Sequence, residues 1–238
     1  MLTLFFVPDL GTGPAVPVEG DEAHHAIKVV RIKVGEELLL ADGSGAWVRG
    51  SVESISKKSF IVTVVERGFT SDLAPDLIVV QAMMKSDRAK EAIELLTVAG
   101  VTRIIPWQAA RSIAKWQDDL GAKWVATSIA AAKQSRRFTL PEIETPITTE
   151  HIAKRFGQSA NLFILHESAT IKISEAAKNL NPGPIVLVIG PEGGLTGDEL
   201  GQLGGAGGTV ILLGNEIFRS AHAGFAALSA ISALTGRW

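Results

Sequence analysis

The chain has 238 residues, of which 46% are hydrophobic and 20% are charged, and its formal net charge is −2; this composition suits a packed core of one large or two modest domains and excludes a mostly disordered protein. Cysteine is absent, which excludes disulfides, zinc–thiolate sites and thiol nucleophiles. No apolar run approaches the roughly 20 residues of a membrane helix, and the N-terminus lacks the basic region of a signal peptide, so we expect a cytoplasmic protein without a membrane span.

Residues 1–70 are predicted to form a small β-barrel. Residues 21–30 are the exception, because their apolar side chains have helical spacing. Residues 68–75 are predicted to link this barrel to the rest of the chain. The predicted strands are β-branched or alternating runs separated by glycine turns, and they cover 37–41, 46–52 and 59–65.

Residues 71–238 alternate between strands and helices. This alternation predicts an α/β domain with a mostly parallel sheet and helices on both faces. Ligands of such sheets bind beyond the carboxyl ends of the strands, so the turns after the strands are the candidate site. The predicted strands cover 77–82, 101–106, 161–165, 184–189 and 209–213, and the predicted helices cover 87–98, 123–137 and 220–234.

The chain has a nearly balanced total charge but contains one basic segment. Residues 81–140 carry ten basic and five acidic residues, whereas residues 1–70 and 141–238 are each net acidic. The local sign of charge matters more than the total for binding a polyanion. Tryptophans at 107, 116 and 124 interleave with the cations, as a surface for single-stranded RNA requires. A solvated face with cations near helix ends is the ordinary alternative.

A glycine-rich turn follows the predicted strand that ends at Ile189. Glycines allow the backbone to approach a ligand closely, and Thr196 with Glu199 has the spacing of a capping box that starts a helix. A phosphate loop fits poorly, because the Walker spacing is absent and Glu192 repels phosphate. A ligand with a neutral hydrogen-bonding ring, such as adenosine, fits better. A turn that only connects a strand to a helix is the alternative.

A second strand ends at Leu213 and meets a turn at Gly214, and Arg219 then precedes a helix that is apolar almost all round. Such a helix is buried, so we expect Arg219 near the ligand end of the sheet and Ser220 as the helix cap. The alternative for Arg219 is a local ion pair with Glu216. His166, which follows the strand 161–165, is a candidate site residue together with Glu167, although a structural histidine is the commoner case. No histidine spacing indicates a metal site, and none is expected.

Two motifs at these strand ends are specific when they occur together. They are Gly190-Pro191-Glu192-Gly193-Gly194 and Leu213-Gly214 followed by Ile217-Phe218-Arg219. With further matches over 5–7, 22–36, 85–88, 111–112 and 134–137, they resemble the 16S ribosomal RNA uracil-N3 methyltransferase family, a branch of the knotted SPOUT class. The sequence departs from the family pattern at Asn215-Glu216, where Pro-Arg is frequent, and at Ala221, where a carboxylate is missing.

The resemblance implies a PUA-like RNA-binding β-barrel over 1–70 and a SPOUT α/β domain over 71–238 with a trefoil knot at its C-terminus. It also implies a homodimer that transfers a methyl group from S-adenosyl-L-methionine to N3 of a uridine in 16S ribosomal RNA of the small ribosomal subunit. A non-catalytic RNA-binding relative and a different SPOUT RNA methyltransferase are the alternatives. An unrelated nucleotide-binding enzyme is a further rival, against which the missing Walker lysine argues.

The resemblance also assigns roles to residues. Arg219 is the expected catalytic residue, which stabilises charge on the deprotonated base or orients it. The proton acceptor stays open between Glu192, His166, His222 and solvent. The RNA phosphates are expected at Arg31, Lys33, Arg88, Arg111 and Arg137. The methyl donor is expected to contact Leu165, His166, Ile189, Gly190, Pro191, Glu192, Gly193, Gly194, Leu213, Gly214, Ile217 and Arg219.

Overall fold

A computed structural model describes residues 2–158 and 161–238, and the chain divides into two compact units. Unit 1 comprises Met1–Asp72 and Ile129–Leu140, and unit 2 comprises Leu73–Ser128 and Pro141–Trp238. Each unit has its own hydrophobic core. The inclusion of Ile129–Leu140 in unit 1 has no local signal in the sequence, because the segment comes from the second half of a long helix and the residues after it.

Unit 1 is built on a five-stranded sheet. Its strands are β1 (Thr3–Phe6), β2 (Ala15–Val18), β3 (Glu37–Ala41), β4 (Ala46–Ile55) and β5 (Phe60–Phe69), in the order β1-β3-β4-β5-β2. The β1–β3 pair is parallel and the other pairs are antiparallel. All five strands contribute side chains to one core, including Phe5, Val16, Leu38, Val48 and Phe60. A core shared by every strand of a strongly paired sheet is typical of a small barrel.

Two local predictions for unit 1 need correction. The helix predicted over 21–30 is α1 (Gly20–His24) followed by a π-helical turn (His25–Val30), which ends at Arg31 in the left-handed region with φ 61°. The predicted linker 68–75 begins too early, because β5 continues to Phe69. Gly68 pairs within the sheet there, and a side chain at this position would overlap the indole of Trp47. Glycine therefore permits pairing here instead of ending the strand.

Unit 2 contains a seven-stranded parallel sheet, which confirms the predicted α/β fold class. Within the described residues the strands are β6 (Leu77–Ala82), β7 (Arg103–Trp107), β8 (Glu142–Ile143), β9 (Asn161–Leu165), β10 (Ile171–Lys172), β11 (Ile185–Ile189) and β12 (Thr209–Leu212). Their order is β10-β12-β9-β11-β6-β7-β8, and every pair is parallel. The carboxyl ends of β9, β11 and β12 therefore lie at the same edge of the sheet.

Helices cover both faces of this sheet. They are α2 (Ser86–Val98), α4 (Thr149–Phe156), α5 (Ile173–Ala176), α6 (Gly197–Gly205) and α7 (Ser220–Leu234), together with the part of α3 (Asp118–Ser135) that belongs to unit 2. Successive strand residues alternate between two cores: Leu77 and Val79 share a core with α2 and α7, whereas Ile78 and Val80 share one with α4 and α6. Burial on both faces explains why these strands are continuous apolar runs.

Helix α3 begins at Asp118 and ends at Ser135, so the predicted span 123–137 is displaced towards the C-terminus. Three of the five residues 118–122, namely Asp118, Asp119 and Gly121, have weak helix propensity. They are helical because Leu120 and Trp116 pack against the core of unit 2, a tertiary contact that propensity does not show. Among the helices of the described residues, none has the length and hydropathy that crossing a membrane requires.

Candidate active site

A cavity of about 950 Å³ lies at the carboxyl ends of β9, β11 and β12 in unit 2. Residues 165–167, 189–195 and 212–221 form most of its wall, and Arg88 and Arg111 add two cations. Every residue predicted to contact the methyl donor lines this cavity, from Leu165 to Arg219. Two turns that are separated in the chain by helix α6 and strand β12 therefore share one site, because the strands that lead into them both pair with β9.

The first glycine turn, residues 190–194, is tightly packed. Gly194 has φ 70°, a conformation that favours glycine. A Cβ atom on Gly190 would lie 3.1 Å from the side chain of Leu195, and one on Gly193 would lie 3.2 Å from Cβ of Arg111. The predicted capping box is confirmed: Thr196 is the N-cap of α6, and its hydroxyl accepts a hydrogen bond from the Glu199 N–H at 3.2 Å.

Arg111 lies against this turn. Its Nη1 donates a hydrogen bond to the carbonyl of Gly193 at 2.9 Å and a longer one to the carbonyl of Leu195 at 3.5 Å. The predicted RNA contact Arg111 thus also supports the backbone of the glycine turn.

The second turn leads from β12 to α7 and is open to solvent. Ile217 is 82% exposed and Phe218 is 44% exposed. The side chain of Arg219 is exposed and makes no hydrogen bond or ion pair with any residue that the structure describes. The local pairing with Glu216 is therefore not formed, and the guanidinium is available to a ligand.

The prediction that Ser220 caps α7 is wrong. Arg219 occupies the N-cap position, and Ser220 is the first residue inside the helix. The Ser220 hydroxyl donates instead to the carbonyl of Gly190 at 2.6 Å and lies 3.3 Å from Nε2 of the buried Gln81. This hydroxyl joins the two turns directly, because α7 begins beside the end of β11.

His166 has a defined hydrogen-bond arrangement. Its Nδ1 accepts from the N–H of Ser168 at 3.2 Å and lies 2.8 Å from the Ser168 hydroxyl. A backbone N–H can only donate, so Nδ1 carries no proton and neutral His166 is protonated at Nε2. Nε2 lies 3.8 Å from a carboxylate oxygen of Glu167, too far for a hydrogen bond.

Glu91 on α2 connects the side chains of His222 and Arg88 near the cavity. One of its oxygens lies 2.8 Å from Nε2 of His222, and the other accepts from Nη1 of Arg88 at 2.7 Å. The hydrogen bond with His222, followed by that with Arg88, holds the pKa of Glu91 below its ordinary value of 4.5. Arg88, predicted at the RNA phosphates, is thus anchored at the cavity wall.

The other three predicted RNA contacts belong to unit 1. Arg31 and Lys33 are exposed on the segment that follows the π-helical turn. Arg137 differs, because only 12% of its side chain is exposed. Its Nε donates to Thr139 at 3.0 Å and its Nη2 lies 3.3 Å from Asp72, so this side chain contributes to the internal polar contacts of unit 1.

Some residues of the cavity wall carry no signal that identifies them in the sequence. They follow the strand ends or precede α7, so their position in the loops is the only available indication. The wall residues without such a signal are Leu195, Leu212, Asn215, Glu216, Ser220, Ala221 and Ala223.

In the described part of the chain, no group of three or more histidine or acidic side chains is arranged to hold a metal ion.

Known proteins share this sequence pattern and fold. Residues 72–232 match the family model of an RNA methyltransferase domain, and residues 18–65 match that of an RNA methyltransferase PUA domain. Fold and site together therefore define an RNA methyltransferase. The Ribosomal RNA small subunit methyltransferase E of Mycobacterium tuberculosis (strain CDC 1551 / Oshkosh) is 39% identical over 99% of this chain and 93% of the relative. That of Bacillus subtilis (strain 168) is 28% identical over 92% and 90%. The chain belongs to the ribosomal RNA small subunit methyltransferase E family.

A solved structure agrees with this assignment. The crystal structure of a Ribosomal RNA small subunit methyltransferase E from Neisseria gonorrhoeae bound to S-adenosyl methionine has a TM-score of 0.89 and 25% sequence identity to this chain. The similarity covers 98% of both chains. It confirms the fold class over both units, including the PUA-like domain that the family model identifies.

Proposed function

We propose that the protein methylates N3 of a specific uridine in 16S ribosomal RNA, in the small ribosomal subunit, with S-adenosylmethionine as the methyl donor. The observation that carries the proposal is the single cavity in which the two glycine-bearing turns and Arg219 meet. Membership of the RNA methyltransferase family and the methyl donor bound to the Neisseria relative support the same reaction.

The residues of the cavity fit S-adenosylmethionine. A Cβ atom on Gly194 or Gly214 would have no described atom nearer than 3.9 Å, so these glycines leave space at the cavity that a side chain would fill, and Leu165 and Leu213 provide apolar surface. Backbone groups of Leu165, Ile189, Gly190, Gly194, Leu213 and Ile217 would hold its adenine and methionine parts, and His166, Pro191, Glu192, Gly193 and Gly214 complete the wall. When bound, this group supplies a methyl group activated by its sulfonium, so the protein contributes positioning and electrostatics.

Arg219 is the proposed catalytic residue. Uracil N3 carries a proton at neutral pH, and its removal leaves negative charge on N3 and on both carbonyl oxygens. A guanidinium fixed beside the base stabilises that charge better than bulk water does. The Arg219 side chain lies in the cavity wall and has no hydrogen-bond or ion-pair partner among the described residues, so its positive charge is available to the base.

Glu192 is the proposed acceptor of the N3 proton. His222 is bonded to Glu91 and is not part of the cavity wall, and the lone pair of neutral His166 is occupied by Ser168. Glu192 is an exposed wall residue whose carboxylate has no hydrogen-bond partner in the described chain.

Replacing Glu192 by glutamine is expected to lower kcat for RNA methylation by about a hundredfold, because proton transfer to a positioned base contributes at least this factor. The affinity for S-adenosylhomocysteine, measured by calorimetry, should change little. Glu216→Gln makes the same charge change in the same cavity and serves as the control. A kcat for Glu192→Gln within twofold of the parent enzyme would indicate that solvent, and not Glu192, accepts the N3 proton.

RNA binding by unit 1 is proposed to involve phosphate contacts of Arg31 and Lys33. The double variant Arg31→Glu/Lys33→Glu should bind a 16S RNA fragment more weakly, and its plot of log affinity against log salt should be less steep by about one unit per lost contact. Lys57→Glu/Lys58→Glu is the matched control, since these exposed lysines lie on the turn between β4 and β5. Identical salt slopes for the two variants, measured by fluorescence anisotropy, would refute the assignment.

The proposal includes three further properties that the resemblance implies: a homodimer, a trefoil knot in the C-terminal segment, and action in the cytoplasm. Light scattering after gel filtration tests the homodimer, and the mass of a single chain at micromolar concentration would contradict it. Arg88, Arg111 and Arg137 stay proposed RNA contacts, with Arg137 the least accessible of them.

Mass spectrometry tests the proposed function as a whole. Small ribosomal subunits from cells that lack the protein are incubated with it and with isotope-labelled S-adenosylmethionine, and the 16S RNA is then digested to nucleosides. The expected product is 3-methyluridine at one position. Absence of methylation together with absence of S-adenosylhomocysteine binding would favour a non-catalytic RNA-binding relative. A methyl group on another atom or base would identify a different SPOUT RNA methyltransferase.

A further inference from the structure

Glu199 is a buried carboxylate that contacts two separate loops of unit 2. The residue is only 5% exposed. Its Oε1 accepts a hydrogen bond from the N–H of Ala110 at 2.8 Å, and its Oε2 accepts from the N–H and the hydroxyl of Thr196 at 2.9 and 3.0 Å. Burying a carboxylate is costly unless several donors satisfy it, so these contacts strongly favour one arrangement of both loops relative to α6.

Both loops contribute residues to the wall of the cavity, namely Arg111 and the glycine turn. Ala110 directly precedes Arg111, which lines the cavity and donates to the carbonyls of Gly193 and Leu195. Thr196 is the second residue after the glycine turn. The loop with Arg111 is thus held to the glycine turn twice, once through the buried carboxylate and once through the guanidinium. Glu199 itself is not part of the cavity wall.

We propose that Glu199 is a positioning residue for methyl transfer, which holds the loop with Arg111 and the glycine turn together as one body. The position of Arg111 in the cavity is then coupled to binding of the methyl donor at the glycine turn. Glu199 itself contacts neither the methyl donor nor the RNA. This inference rests on the proposed function, because it assigns the turn to the methyl donor.

The variant Glu199→Gln tests the proposal with little change in shape. An amide has one acceptor oxygen where the carboxylate has two, so the N–H of either Ala110 or Thr196 loses its acceptor. The Kd for S-adenosylhomocysteine, measured by calorimetry, is expected to rise about tenfold, with kcat for RNA methylation reduced as well. The control is Leu203→Ala, which creates a cavity on the buried side of the same helix. It should lower Tm and leave this Kd within twofold.

A double-mutant cycle with Arg111→Ala separates positioning from general destabilisation. If the Glu199 carboxylate and the Arg111 guanidinium hold the two loops together cooperatively, Arg111→Ala should weaken the binding of S-adenosylhomocysteine less in the Glu199→Gln background than in the parent enzyme. Additive effects, or an unchanged Kd in Glu199→Gln, would overturn the inference. If Glu199→Gln does not fold, the same cycle is run with Glu199→Asp, whose shorter side chain reaches only one loop. Failure of the parent enzyme to bind S-adenosylhomocysteine would instead contradict the proposed function.

Discussion

Replacing Arg219 by alanine is expected to lower kcat for RNA methylation by about a hundredfold to a thousandfold. This is the usual effect of removing one group that stabilises developing negative charge in an active site. The side chain makes no hydrogen bond or ion pair within the described chain, and only its backbone serves as the N-cap of α7. Tm and the Kd for S-adenosylhomocysteine should therefore change little.

Two further variants make the Arg219 experiment specific. Arg219→Lys keeps the positive charge but loses the planar guanidinium, so an intermediate kcat is expected. Lys178→Ala removes an exposed cation of unit 2 that is not part of the cavity wall, and it should behave as the parent enzyme. Single-turnover methylation of 16S RNA measures the chemical step directly. An undiminished rate for Arg219→Ala would remove Arg219 from the mechanism.

Replacing Gly193 by valine is expected to raise the Kd for S-adenosylhomocysteine about tenfold to a hundredfold. A Cβ atom at this position would lie 3.2 Å from Cβ of Arg111, and the two methyl groups of valine need still more room. Overpacking of this kind costs about 1–3 kcal/mol when the turn keeps its ligand-binding shape, and the same cost subtracted from the binding free energy corresponds to this range of affinity. Either the turn or Arg111 must move, and both line the cavity.

Gly197→Val is the matched control for the glycine turn. Gly197 is the first residue of α6, and a Cβ atom there meets nothing within 4 Å. This variant should bind S-adenosylhomocysteine normally by calorimetry. Normal binding by Gly193→Val as well would contradict the assignment of the turn to the methyl donor. The two predictions differ in kind, because Arg219→Ala affects the chemical step whereas Gly193→Val affects binding.

Local patterns in the sequence predicted many elements at or near their observed bounds. Strands β6 and β9 and helix α7 begin and end at the predicted residues. The capping box of Thr196 and Glu199 is also present as predicted. These features depend on hydrophobic runs and on contacts within one helical turn, so neighbouring residues are sufficient to specify them. The observed start of helix α3 was not predicted, because its first turn is stabilised by packing against residues that are distant in the sequence.

Local residue patterns are sufficient to predict the α/β class and the strand ends that carry the site, and they include the motifs that place the chain in its family. The tertiary structure is needed to show that Ser220 bonds to Gly190 and that Glu199 reaches Ala110. It also shows that Arg219 has no side-chain partner among the described residues, whereas Arg137 is largely enclosed. The reason is the order of parallel strands, which brings together loops separated by 30 to 89 residues. No local pattern specifies such contacts, because they depend on which strands become neighbours.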